Sequence, residues 1–272
     1  MCAWDRSWGT AGDRGVSLSR EEDRKWFTTS VVPGKKGQSR KGGQVSNERS
    51  RVWSPLARNF ADLGRDLFAA ARVAEVLEHV VGVATTVMAG ANGAGITLRG
   101  ADGVLRTTSA TDERCARFDQ LQQETAEGPF AAATAVDGTG ISGSPDLAKE
   151  PLWPQLGPRA AQEGIRGVLC ADMALPAPRA GTLNVYTSEP RGLAASDPDT
   201  LLVLASFAAT ALATTGVVTS EELAAEPIRG PLRSGEAMKR AAELLMLRRR
   251  LSAEEAYDVL EKAVRELTEW RS

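Results

Sequence analysis

Apolar residues between Leu63 and Met88 recur at steps of three and four: Leu63, Leu67, Ala70, Ala74, Leu77, Val81, Ala84 and Met88. That period predicts one long amphipathic helix starting near Pro55 and burying a single stripe. The pattern then changes. AGITLRG and VLRTTSA read as strands, separated by the turn residues Ala101, Asp102 and Gly103. Asp112 stands where an N-cap belongs, for a helix running through about Thr125. Glu127-Gly128-Pro129 predicts a turn before a short helical run from Phe130, and a loop containing SPDLAKEP leads to a helix opened by Trp153-Pro154. RGVLCADMAL and GTLNVYT are two further strands, the first stopped by Pro176-Ala177-Pro178. SDPDTLLVLASFAATALATT, with Ser196 or Asp197 as cap and Pro198 in its first turn, predicts a helix that is apolar nearly all round. Such a helix needs cover on more than one side. The sheet supplies one side; the first helix, a second subunit or both supply the other. Residues 55–216 therefore predict an α+β domain with its first and last helices on one sheet face, inviting a homodimer.

Helical spacing returns after residue 234 in two short runs that meet at Arg248-Arg249-Arg250. Met238, Ala241, Leu245 and, past the corner, Leu251 form one apolar face; Ala256, Tyr257, Leu260, Ala263, Val264 and Leu267 form the other. Ser252 and Glu255 have capping-box spacing. A hairpin this small cannot bury enough apolar surface to stand alone, so it leans on the preceding domain or on a dimer mate. Residues 217–233 predict a linker. Residues 1–54, rich in Gly, Ser, Arg and Lys without an apolar period, predict a disordered basic segment, either a basic arm for nucleic acid or a solvated tail.

Charge sharpens this picture only slightly. The 272 residues carry a net charge of -2. Residues 1–54 hold 11 basic against 6 acidic side chains, and residues 228–272 hold 10 against 8. An acidic middle between basic ends hints at an anionic partner for the ends. Cys2, Cys115 and Cys170 have no paired spacing, so neither a disulfide framework nor a zinc site is expected. His79 is the one histidine, expected as a core or interface residue, and no metal or other cofactor is predicted. Ser142-Gly143-Ser144 lacks the context of a nucleophile elbow, and no Gly-rich phosphate loop occurs. Asp119, Glu124 and Glu127 read as solvent-facing carboxylates. An enzyme is not expected. With no signal peptide and no apolar run of membrane-spanning length, a cytoplasmic protein is expected.

The middle segment resembles a GAF domain of the kind found in actinobacterial regulators. Asp119, Gln120 and Glu127-Gly128-Pro129 carry the likeness, followed by Asp146-Leu147, Trp153-Pro154, Gly164-Ile165-Arg166-Gly167-Val168-Leu169 and Gly181-Thr182-Leu183-Asn184-Val185-Tyr186. The resemblance implies an antiparallel sheet with flanking helices, a dimer, and a small-molecule pocket between the sheet and the helices and loops over its open face, with Phe130 and Tyr186 as candidate lining residues. Phe130 stands where relatives commonly have Cys, which argues against thiol chemistry and for a filled or apolar pocket. The hairpin resembles the ANTAR domain, through Met238, Ala241, Leu244-Leu245-Met246, Leu251-Ser252, Glu255-Ala256-Tyr257 and Leu260. That family binds paired RNA stem-loops as dimers and prevents a transcription terminator from forming. The resemblance implies RNA contact by Lys239, Arg240, Arg248, Arg249 and Arg250; arginines that merely complement a helix C-terminus are the other reading. Ala242-Glu243 replaces the family's Lys-Gly, Glu261 replaces an Arg, and a third helix is expected to be lacking. Two functions remain: a GAF sensor coupled to an RNA-binding segment in antitermination, or a GAF-type ligand-binding or dimerisation module with an RNA-inert tail.

Overall fold

The computed structural model describes residues 45–228 and 232–269, with side chains from Leu56 onward. The segment expected to be disordered lies outside the described residues as far as residue 44. Residues 45–54 correct that expectation, because they are helical. Leu56, Phe60, Leu63 and Leu67 are buried at helical spacing in α1 (Val45–Leu67), and a helix already nucleated extends at little further cost.

The single long helix expected from Pro55 is broken in two. Arg72 is extended (φ -125°, ψ 153°) and α2 (Val73–Val87) starts anew after it. Glu75 Oε2 accepts from the amides of Ala71 and Arg72 at 2.7 and 3.2 Å, satisfying donors at the new helix start. The break is also held from outside: Val73 N donates to Glu226 O at 3.1 Å and Ile228 N to Ala71 O at 3.0 Å. The linker expectation for 217–233 changes accordingly. It contains α7 (Ser220–Ala225), capped by the Thr219 hydroxyl and anchored by fully buried Leu223.

A five-stranded sheet has the order β2-β1-β5-β4-β3, every neighbouring pair antiparallel. Its strands are β1 (Gly93–Arg99), β2 (Leu105–Ala110), β3 (Ile141–Ser144), β4 (Gly167–Asp172) and β5 (Ala180–Thr187). Edge strand β3 has no counterpart in the sequence reading. It is only Ile-Ser-Gly-Ser, and its Gly143 permits the close approach: a Cβ there would lie 2.4 Å from Val168 O. Alternation gives the sheet two faces. Ile96, Leu98, Leu183, Val185 and Leu169 face one way, where α2 and α6 (Pro198–Leu212) pack. Thr97, Arg99, Thr182, Asn184, Tyr186, Cys170 and Asp172 share the other face by register. That face is covered by α3 (Glu113–Thr125), α4 (Pro129–Thr134) and α5 (Leu156–Gln162), whose Phe118, Leu121 and Leu156 form a second core with Val168 and Tyr186.

Every residue of α6 from Asp199 to Leu212 is buried. The second-side cover it needs comes from the same chain: α1, α8 (Ser234–Arg248) and α9 (Ala253–Glu269) complete the layer with α2. Phe60 stacks on Phe207 at 5.5 Å between ring centroids. Of the alternatives for covering α6, the first helix, a second subunit or both, the burial that α6 demands is met within one chain; the GAF resemblance is a separate ground for expecting a homodimer. The hairpin forms one compact unit with the sheet domain. Ala237, Ala241, Leu244 and Leu245 of α8 and Ala256, Leu260, Ala263, Val264 and Leu267 of α9 are buried. Ser252 and Glu255 close the expected capping box, at 2.7 and 3.2 Å.

Candidate functional site

Asp112 caps α3 by accepting from Arg114 N at 2.8 Å. Two turns later the helix points Asp119 into the polar sheet face. This corrects the expectation of a solvent-facing carboxylate. Asp119 is 3% exposed and accepts from Thr97 Oγ1 at 2.7 Å, Thr107 Oγ1 at 2.5 Å and Gln122 Nε2 at 3.1 Å. Burial pushes its carboxyl up to about 6, and the three hydrogen bonds pull the other way. Gln122 Oε1 accepts from Phe130 N at 3.1 Å, tying α3 to the start of α4. Gly128 between them has φ 128°, and a Cβ there would sit 2.4 Å from Gln122 Oε1. The other two carboxylates are structural. Glu127 accepts from the amides of Gln155 and Leu156, both at 2.9 Å, at the head of α5. Glu124 pairs with Arg159 at the surface.

Asn184 Nδ2 donates to Thr97 Oγ1 at 2.7 Å, yet four buried polar atoms on the strands have no hydrogen-bond partner: Ser144 Oγ, Thr182 Oγ1, Asn184 Oδ1 and the Tyr186 hydroxyl. A native interior keeps few such groups. Both expected pocket residues are here. Tyr186 packs edge-on against Phe118 at 5.4 Å, and a cavity of about 10 Å³ adjoins it, room for one water. Phe130 is buried, and the Arg99 guanidinium lies 5.4 Å from its ring centroid. Side chains cover this face, and its floor is polar. Alternation within AGITLRG and GTLNVYT, Thr97 and Arg99 on one strand and Thr182, Asn184 and Tyr186 on the other, is the signal that reveals that floor.

The hairpin corner reaches the same region from below. Arg248 Nη1 donates to the carbonyls of Ala135 and Val136, in the segment after α4. Its Nη2 donates to Asp172 Oδ2 at 3.2 Å, where the side chains are 13% and 4% exposed. Arg249 Nη1 lies 3.2 Å from Asp199 Oδ1, with side chains 14% and 9% exposed. Burial raises both carboxyls, and the facing arginines oppose the rise. The five residues expected to contact RNA therefore do not form one ridge. Arg248 and Arg249 turn inward onto buried carboxylates, whereas Lys239 and Arg250 are exposed and Arg240 is half-buried. Lys239 pairs with Glu243 at 3.6 Å.

His79 is exposed in this chain, its Nδ1 3.4 Å from Leu67 O, so of the two expected places, core or interface, it does not take the core. Helix α2 turns it away from the sheet while Val76, Leu77 and Val80 face inward. Cys115 and Cys170 are buried free thiols; burial pushes the first up to about 11 and holds the second well above the ordinary thiol range. Among the described residues no group of His, Cys, Asp or Glu is arranged to hold a metal ion, and no helix is long and apolar enough to cross a membrane.

No family model matches this chain, and no curated protein matches it. Among solved structures, it is similar to a domain assigned to a two-component sensor histidine kinase protein from Sinorhizobium meliloti, at 17% identity and a TM-score of 0.39, over 48% of this chain and 84% of that one. It is also similar to the phytochrome photosensory core module of Stigmatella aurantiaca, at 14% identity and a TM-score of 0.36, over 86% of this chain and 48% of that one. Likeness at this level carries no functional argument.

Proposed function

We propose that this chain is a signal-responsive regulator, a GAF-type sensory domain whose C-terminal hairpin is its output element. The observation that carries the reading is Arg248. One side chain bonds both the segment following α4, which covers the polar face, and the carboxylate at the end of β4. A signal that shifts α4 moves the carbonyls that hold the hairpin corner, so occupancy of the face and placement of the hairpin bias each other. Once released, Arg248 and Arg249 join Lys239, Arg240 and Arg250 in a basic surface for structured RNA, as the ANTAR resemblance implies, and the activity is transcription antitermination. Release also uncovers α6, and two copies pair there, each presenting one corner to one stem-loop. A cytoplasmic, non-enzymatic protein follows from that role.

A second reading is favoured by the same contacts taken as permanent. Ala241 and Leu245 of α8 and Ala256, Leu260, Ala263, Val264 and Leu267 of α9 are buried, with Met238, Leu251 and Tyr257 half-buried, Lys239 is countered by Glu243, and the hairpin is then an RNA-inert brace of a ligand-binding module. RNA binding separates the two. The test uses a two-stem-loop RNA at low and moderate salt with three proteins: the unaltered chain, Asp172→Asn with Asp199→Asn, and Arg248→Glu with Arg249→Glu and Arg250→Glu. Release predicts the tightest, steeply salt-dependent binding in the first variant and none in the second. Equal, negligible binding by all three leaves the brace reading standing.

A further inference from the structure

Arg99 ends β1 on the polar face, half-buried, with its guanidinium against the Phe130 ring. Among the described residues it has no carboxylate or carbonyl partner, whereas Arg248, which also turns inward, is bonded to three acceptors. A guanidinium presents five donors in a planar fork, and those of Arg99 are left open to an acceptor from outside the protein. Beside it lies a buried group that is unsatisfied. Thr182 pairs with Thr97, and Arg99 with Ala180, so Thr182 is the diagonal neighbour of Arg99 across the β1–β5 pair. Diagonal neighbours on one face are within reach of a long side chain. Thr182 is fully buried and its hydroxyl has no partner.

We infer that Arg99 and Thr182 form the anchoring subsite for a small ligand bearing an oxyanion, bound on the polar face with Phe130 as its movable cover. The inference rests on the sensory reading of that face and names the chemistry of its ligand. A planar fork suits a carboxylate or a phosphate, and the hydroxyl adds one donor. The nearby carboxylates do not forbid an anion. Asp172 is matched by Arg248, and Asp119 is surrounded by three hydrogen-bond donors. Asn184 Oδ1 and the Tyr186 hydroxyl, further along β5 on the same face, remain for the body of the ligand. Phe130 is buried over this face, so entry requires Phe130 to move. Phe130 is the second residue of α4, and α4 runs into the two carbonyls held by Arg248. An oxyanion at Arg99 thereby pulls on the element that fixes the hairpin.

The experiment titrates the full chain calorimetrically with inorganic phosphate and, separately, with acetate, at ionic strength held constant with sodium chloride. Saturable binding of at least one anion is expected, with Kd on the order of millimolar for so small a probe. Preference between the two tells a phosphate-bearing ligand from a carboxylate one. Arg99→Gln and Thr182→Val should each weaken binding roughly tenfold or more, a change of about 1.4 kcal/mol. Thr182→Val should meanwhile not lower the Tm of the free protein, because it removes a buried hydroxyl that has no partner. The inference is overturned if neither anion binds the unaltered chain, or if Arg99→Gln binds as tightly as the unaltered chain. Should Arg99→Gln not fold, unchanged affinity in Thr182→Val overturns it instead. Hairpin release is judged by the RNA titration, so either idea can fail alone.

Discussion

Truncating Arg248 to Ala tests the connection between hairpin and sheet. The substitution leaves Asp172, whose side chain is 4% exposed, without its cation, and strips the carbonyls of Ala135 and Val136 of a donor. Removing one partner of a buried ion pair costs about 3–5 kcal/mol. Arg248 retains 13% exposure, and Asp172 keeps the Ala174 amide at 2.9 Å. Both soften the loss, so about 3 kcal/mol is expected. In a unit of this size each kcal/mol moves Tm by roughly 2–4 °C, so Tm should fall by roughly 6–12 °C. Arg250→Ala is the control. That residue is exposed at φ 56°, and surface changes of this kind stay within about 0.5 kcal/mol. Hydrogen exchange should locate the effect: amides of α8, α9 and residues 135–140 should lose protection together in Arg248→Ala, while the β1–β5 pair keeps its own. If Arg248→Ala and Arg250→Ala have the same Tm and the same exchange pattern, Arg248 does not join the two elements.

Asp119 gives a pH-dependent expectation. Its folded carboxyl holds its proton to about pH 6, against 3.8 for the ordinary group. The folded state therefore binds more protons across that window, and its stability falls as pH rises through it. About two units correspond to about 3 kcal/mol. Urea titrations should show the unaltered chain losing up to that amount relative to Asp119→Asn between pH 4 and about pH 7; parallel curves would contradict the burial argument. Leu260→Ala, at a fully buried position of α9, should cost about 2–5 kcal/mol by chemical denaturation. A cost below about 1 kcal/mol would mean that α9 is not part of the cooperative unit.

Local pattern determined much of this protein. The strands at AGITLRG, VLRTTSA, RGVLCADMAL and GTLNVYT, the Asp112 and Asp197 caps and the Ser252–Glu255 capping box follow from alternation and capping chemistry, which act over a few residues. So does the need of α6 for cover on two sides. What the pattern could not supply was the identity of neighbours. The break at Arg72 depends on pairing with residues 226–228, far along the chain, and the helical period runs straight through it. Edge strand β3 is four residues with Gly143 in the middle, too short for a period and legible only once Val168 lies against it. Asp119 read as solvated because three of its consequences, burial and the two threonine hydroxyls, come from other elements. Most of all, tertiary structure decided what the three corner arginines face. In sequence they are one basic run; in space two of them point at carboxylates carried by β4 and α6. A charge run fixes which charges are present, whereas the fold fixes the distance and burial that determine what each of them does.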